Sequence, residues 1–507
     1  DNSGVETRFI ADPLHPEATP AKNFYPRAGT PNARVRLGIV AVSGGETRWI
    51  EWDREKFPYL TRVVWKEASA PLCILVQNRA QQEELLLGVD PTSGATRPLL
   101  RETDSAWLNL DQKPMPVWLR DGREFLWTTE RNGSWQVELR SVDGALVRAV
   151  TPTDFQMDEL IDLNDSDRSI VVSGGPDSRE RHLFRFSLDG KGQPQQLTHE
   201  PGRHLGVFGD NKEAFLHRFD LLDGHSGWEV ADSADAKQVA VLPSTAERPS
   251  SLPKIELVRT KGSRPMDGAI VRPRDFKKGT SYPVILDVYA GPHHKQVIAQ
   301  PDRYMIDQWM ADRGYIVVAL DGRGTPGHGR DWERAIRGNL IKAALEDQVA
   351  GLEALARREP AMDLKRVGVV GWSFGGYFSA MAVMQKPDVF RCAVAGAPVV
   401  TWENYDTFYT ERYLGLPSEN AEAYRASNVL TFANDLRRPI LLIHGLTDDN
   451  VYAQHSMQLA DALFNAGKSF NFLPLLGTHM VSEPMLRLRR QTRMIEFFDA
   501  ELKPIRP

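Results

Sequence analysis

Three residue types set in one order along the second half of the chain could together carry out acyl transfer. The segment Gly-Trp-Ser-Phe-Gly-Gly-Tyr at residues 371–377 centres Ser373 in a G-x-S-x-G pattern, and Asp448 and His479 follow downstream. A serine hydroxyl becomes a strong nucleophile when a neighbouring base removes its proton. Histidine performs that task near neutral pH once a carboxylate fixes its tautomer. In these roles Ser373 attacks a carbonyl, His479 takes the proton and returns it to the leaving group, and Asp448 orients the imidazole. A bare G-x-S-x-G also occurs as a structural serine turn, so the surrounding elements decide its meaning. Asp449 competes with Asp448, but adjacent acids cannot both point inward, and Asp449 reads as a solvated or loop-capping carboxylate. His444 lies inside an apolar run and reads as a core or strand-end histidine, while His455 opens a helical pattern and reads as a surface residue.

The elements predicted around these residues suit the task. Lys365 to Gly371 is a short β-branched run, and Phe378 to Met384 continues as a helix, so the serine sits on a sharp turn from strand to helix. That is the nucleophile elbow of the α/β-hydrolase fold, where flanking glycines avoid clashes in the strained turn. Pro439 to Gly445 reads as a buried parallel strand opening into Leu446-Thr-Asp-Asp-Asn-Val451, and acids at strand C-termini face the crevice of such sheets. The next strand, Ser469 to Leu476, ends in Gly477-Thr-His-Met480. A tetrahedral intermediate also needs hydrogen-bond donors for its oxyanion. The backbone N–H of Phe374 is one. Tyr289, at the end of the buried run Pro283 to Ala290, is placed to add its hydroxyl as a second. The pair His293 and His294 has no acidic or cysteine partner at ligand spacing and reads as a loop rather than a metal site. The sequence calls for no cofactor.

Several motifs in this half resemble the catalytic domain of the dipeptidyl peptidase IV group within the prolyl oligopeptidase family of serine peptidases. They are Asp287-Val-Tyr-Ala-Gly-Pro292, Asp321-Gly-Arg-Gly324, Glu346-Asp-Gln348, the serine elbow, Trp402-Glu-Asn-Tyr-Asp406 running on to Tyr409-Thr-Glu-Arg-Tyr413, and His444-Gly-Leu-Thr-Asp-Asp-Asn-Val451. The resemblance implies that Tyr289 supplies the oxyanion hydroxyl. It also implies that Phe374, Val399, Trp402, Tyr405, Tyr409 and Val451 wall a pocket for proline; without it, such an aromatic cluster reads as ordinary core packing. Asn450 would bind the carbonyl of the residue before the proline, and Arg412 would sit near the same subsite. Their plainer readings are a loop-capping asparagine and an ordinary ion pair. The chain departs from the family pattern at Phe374, where a tyrosine is common, at Met480, where glycine is usual, and at the two histidines.

The front half reads differently. From about residue 30 to 245 short apolar runs alternate with Asp-Gly, Ser-Gly and Asn-Gly turns, an all-β pattern. Turn-centred units recur around Asp90, Asp143 and Asp189, 53 and 46 residues apart, with a weaker fourth ending near Val241. That period is the length of a β-propeller blade, and the stretch holds about four or five blades. The expected architecture is multi-domain all-β plus α/β: part of a propeller over residues 1–245, then an α/β-hydrolase domain over 246–507. Lys22-Asn-Phe-Tyr-Pro-Arg-Ala-Gly-Thr-Pro-Asn32 resembles the family's middle-propeller entry. The family has eight blades, and a partial ring would expose strand edges, so a missing N-terminal propeller segment, carried upstream or on a separate chain, is expected as a partner. The resemblance places the residues that bind the substrate's free amine there.

Composition adds bounds. The chain has 507 residues, enough for two domains, and a net charge of −5 with no long basic run, which gives no nucleic-acid footprint. Cys73 and Cys392 lie in different expected domains within apolar runs and read as buried free thiols. So few cysteines suit a bacterial cytoplasm or periplasm. The resemblance implies a serine exopeptidase that releases dipeptides from peptides with proline, or less readily alanine, in second position, and a homodimer. The helical run Met485 to Phe498 could serve in that dimer or simply cover the sheet. An oligopeptidase, tripeptidyl or acylaminoacyl peptidase would share the same triad.

Overall fold

The computed structural model describes residues 1–66 and 69–504. By backbone proximity the chain divides into two compact units. One comprises Asp1, residues 33–249 and 327–331; the other comprises residues 2–32, 250–326 and 332–507. This partition differs from the expected break near residue 245 chiefly in the first thirty residues, which cluster with the catalytic unit.

The first unit contains four antiparallel four-stranded meanders in chain order, from Tyr59 to Thr103, Val117 to Ala149, Met157 to Gln196 and Gly202 to Leu242. A two-stranded ribbon, Gly38–Ile39 with Arg48–Trp49, precedes them. These are propeller blades. Asp90, Asp143 and Asp189 each fall in the turn between the third and fourth strand of their blade. Gly144 shows why glycine belongs in such a turn: φ is +84°, and a Cβ would lie 1.7 Å from the carbonyl oxygen of Leu99 on the preceding blade. The equivalent turn of the fourth blade carries Ala236 at φ +57°, so the Asp-Gly signature fades there. Inner strand residues such as Phe125, Trp127, Leu139, Ile170 and Phe186 share one apolar core.

The second unit is built on an eight-stranded sheet: β1 (Ile255–Arg259), β2 (Asp267–Val271), β3 (Tyr282–Asp287), β4 (Ile316–Asp321), β5 (Met362–Trp372), β6 (Phe390–Gly396), β7 (Ile440–Gly445) and β8 (Asn471–Leu475). The spatial order is 1-2-4-3-5-6-7-8; β2 runs antiparallel to both its neighbours, β1 and β4, and all the other pairings are parallel. The central strands are continuously apolar because helices cover both faces. Helix α1 (Phe374–Gln385), directly after β5, is buried along nearly its whole length, and its sequence Phe-Gly-Gly-Tyr-Phe-Ser-Ala-Met-Ala-Val-Met carries no charge. The terminal helix α2 (Pro484–Leu502) buries Met494, Ile495, Phe497, Phe498 and Leu502 in the core beside the sheet, each contributing about 2 kcal/mol.

Cys73 and Cys392 are free and buried, and burial pushes the Cys73 thiol up to about 12, which leaves it unreactive. No helix among the described residues is long and apolar enough to cross a membrane.

Candidate active site

The junction of β5 and α1 forces Ser373 into φ +59°, ψ −116°, a conformation that L-residues avoid. It is held there by its N–H to the Gly396 carbonyl at 2.8 Å and by the Tyr377 N–H to its own carbonyl at 2.9 Å. The flanking glycines are required by close approach: a Cβ on Gly375 would lie 2.2 Å from the Val288 carbonyl oxygen, and one on Gly376 would lie 2.1 Å from that of Gly396. The turn therefore packs directly on β6 and on the end of β3, leaving the serine partly accessible. Phe374 opens α1, so its N–H has no carbonyl one turn back to bind and lies at the positive end of the helix.

Asp448 sits in the turn after β7 with its carboxylate buried. One oxygen accepts the N–H groups of Asn450 and Val451, both at 2.9 Å, and the other accepts from His479 Nδ1 at 2.7 Å. Burial alone would raise this carboxyl, but hydrogen bonds from His444 and His479 outweigh it and hold the group down to about 2. It stays ionised wherever the imidazole can work. His479 is 15% exposed, at the lip of the site. Its carbonyl accepts from the indole N–H of Trp372 at 2.8 Å, so the residue before the serine ties the histidine loop to the elbow. Asp449 is exposed, as its reading as a solvated carboxylate requires. His444 is a core histidine, bonded to the Ser456 hydroxyl and the Val451 carbonyl, both at 2.7 Å.

Tyr289 follows β3, its ring 5.9 Å from that of Phe374. Burial raises its pKa, which keeps the hydroxyl protonated and able to donate. Phe374, Trp402, Tyr405 and Tyr409 form a continuous aromatic wall, with Trp402 stacked on Tyr409 at 5.8 Å and Phe374 also 5.8 Å from Trp402. Val399 and Val451 are fully enclosed. Asp406 caps the helix Thr407–Leu414 by accepting the Tyr409 N–H at 2.8 Å, which fixes that side of the wall. The Tyr405 hydroxyl donates to Asn450 Oδ1 at 3.0 Å. Arg412 is buried, stacked over Phe408 and 3.4 Å from His293 Nε2, so it meets the aromatic wall through His293.

One histidine differs from its sequence reading. His455 is buried rather than on the surface, because its helix packs its first turn against the pocket loop. Its Nδ1 accepts the Val400 N–H at 3.0 Å, and burial pulls its pKa down to about 3. His293 occupies a loop at φ +68° and is solvent-accessible, yet it accepts or donates at 2.7 Å with the Tyr413 hydroxyl. Desolvation of its ring and the Arg412 charge lower its pKa to about 4. His294 meets the edge of the Tyr289 ring at 4.9 Å. Neither the Trp372 link nor the buried position of His455 had a sequence signal, since both depend on which loops the fold brings together.

Comparison with known proteins agrees with this architecture. Residues 303–504 match the model of the prolyl oligopeptidase family, and residues 1–223 match that of the dipeptidyl peptidase IV N-terminal region. The chain belongs to the dipeptidyl peptidase IV group of the prolyl oligopeptidase family. It is 33% identical to human dipeptidyl peptidase 8, across 93% of this chain and 61% of the relative. Among solved structures it is similar to a putative dipeptidyl aminopeptidase IV from Bacteroides ovatus, with a TM-score of 0.90 at 24% identity over 99% of this chain and 74% of that one. It is also similar to Porphyromonas gingivalis dipeptidyl peptidase 4, with a TM-score of 0.88 at 24% identity over 99% and 72%. The chain spans about three fifths of the length of the human and mouse dipeptidyl peptidase 8 sequences.

Proposed function

We propose that this protein is a serine exopeptidase that releases N-terminal dipeptides, Xaa-Pro and less readily Xaa-Ala, through an acyl-enzyme. The observation that carries this reading is the Asp448–His479 hydrogen bond, on a loop tied through the Trp372 indole N–H to a serine strained to φ +59°, with an aromatic wall adjoining the elbow. Ser373 attacks the carbonyl of the second residue while His479 accepts its proton. The oxyanion is met by the Phe374 N–H and the Tyr289 hydroxyl. His479 then protonates the leaving amine, and water reverses the sequence to free the dipeptide. The wall of Phe374, Val399, Trp402, Tyr405, Tyr409 and Val451 suits a pyrrolidine ring, being apolar. Asn450, whose Oδ1 is taken by Tyr405, presents its amide N–H groups to the preceding carbonyl, and Arg412 borders that subsite. The names of the relatives support the dipeptidyl step. A homodimer belongs to the same reading and is supported by the exposed apolar Met485 and Leu488 on α2.

The test is turnover of a Gly-Pro chromogenic amide beside its N-acetylated twin by the full-length protein. Cleavage of the free-amine substrate alone is the expected result. Equal or preferred cleavage of the blocked substrate would move the assignment to an oligopeptidase or acylaminoacyl peptidase.

A further inference from the structure

We infer that Tyr25, from a segment more than 400 residues away in sequence, is a positioning residue that acts through Asn450. The inference rests on the peptidase reading above and adds a residue that no motif points to.

Residues 25–32 run along the pocket loop and are bonded to it on one side of Tyr25. The Ala28 N–H donates to the Tyr405 carbonyl and the Thr407 N–H donates to the Pro26 carbonyl, both at 2.9 Å. Arg27 Nη1 donates to Asn404 Oδ1 at 2.9 Å, and the Gly29 N–H to Glu411 Oε1 at 2.7 Å. On the other side, Asn23 Nδ2 reaches the Tyr452 hydroxyl at 3.3 Å. Between these anchors the Tyr25 ring meets Tyr452 edge-on at 5.0 Å and Tyr405 at 6.4 Å. Its hydroxyl donates to the backbone carbonyl of Asn450 at 3.0 Å.

Asn450 is thus held at three points. Its N–H is bound by Asp448 Oδ1, its carbonyl by Tyr25, and its side-chain oxygen by Tyr405. The peptide unit between Asn450 and Val451 is gripped at both ends, its carbonyl by Tyr25 and its N–H by Asp448 Oδ1, so it cannot rotate, and an amide whose oxygen is engaged has only its N–H groups left to offer. The orientation of the donor that would meet the substrate is therefore set by one hydroxyl from the N-terminal segment, one from the pocket wall, and the triad acid itself. Preorganised contacts of this kind bind more tightly because less freedom is lost when substrate arrives.

Tyr25→Phe removes the hydroxyl and keeps the ring. With Gly-Pro p-nitroanilide and the full-length protein, KM should rise about three- to tenfold while kcat stays within about twofold. In an Asn450→Ala background the same change should have no further effect, because the two residues act in series. Inhibition by pyrrolidine-2-boronic acid, which lacks the preceding carbonyl, should be the same for wild type and Tyr25→Phe. An unchanged KM in Tyr25→Phe, effects that multiply in the double variant, or an equal loss of boronate affinity would each overturn the inference. Those results would leave the peptidase reading standing. Failure of the wild type to cleave the substrate would overturn both.

Discussion

Asp448 binds two backbone N–H groups with one oxygen and His479 with the other, so the residue that orients the base also shapes the turn carrying Asn450. In the proposed reaction Tyr289 has a narrower part: its hydroxyl would serve only when negative charge develops on the substrate oxygen. Tyr289→Phe should therefore lower kcat by about 100- to 1,000-fold with KM little changed. Steady-state kinetics on a Gly-Pro amide reads this directly, and a rise in KM alone would assign Tyr289 to substrate binding instead. Ser373, Asp448 and His479 were legible in the sequence because each ends or follows an apolar strand in a fixed chain order. Tyr25 and His455 were not, since their roles arise from contacts across the fold rather than from local pattern. His455 follows the usual rule for a helix start, but its helix lies inward, against the Val400 amide.

At the scale of elements, the elbow is the most constrained piece. Its glycines leave no room for a side chain, with backbone oxygens 2.2 Å and 2.1 Å from where a Cβ on Gly375 or Gly376 would sit. Gly375→Ala should push α1 away from the end of β3, costing roughly 1 to 3 kcal/mol of stability and nearly all turnover. Thermal melting together with a Gly-Pro assay checks this, and full activity in a folded variant would show that the close packing is dispensable. Strands β3, β5, β7 and β8 were readable as apolar runs, and three blades as Asp-centred turns. The fourth blade was faint because Ala236 takes the left-handed position that glycine fills in the others. The first thirty residues were placed with the propeller through the resemblance of residues 22–32 to the family's middle-propeller entry. Arg27, Ala28 and Gly29 instead bond to the catalytic unit, a preference set by partners distant in sequence.

Across the whole molecule, buried histidines tie stability to pH. His204, stacked between His182 and His217, has its pKa pulled down to about 4 by burial, and His455 falls to about 3 for the same reason. Their unfolded values lie near 6.5. Between pH 6.5 and 4 the unfolded chain takes up protons that the folded chain refuses, so stability falls as pH falls, by up to about 1.4 kcal/mol per pH unit for each group. Asp448 acts in the same protonation sense and adds to the same trend at lower pH. Its folded value is depressed, so its contribution is present above about pH 4 and is lost towards pH 2. Urea unfolding followed by tryptophan fluorescence should show the midpoint dropping steadily from pH 7 to 4, and His455→Asn, which keeps an acceptor for the Val400 N–H, should flatten part of that slope. A midpoint independent of pH over this range would mean that these histidines are hydrated.

If Ser373 alone carries the chemistry, reaction with a fluorophosphonate followed by peptide mapping will show it. One label per chain is expected, on Ser373, slowed when a Gly-Pro peptide competes and abolished in Ser373→Ala together with peptide turnover. A label on another residue, or turnover that persists in Ser373→Ala, would contradict it.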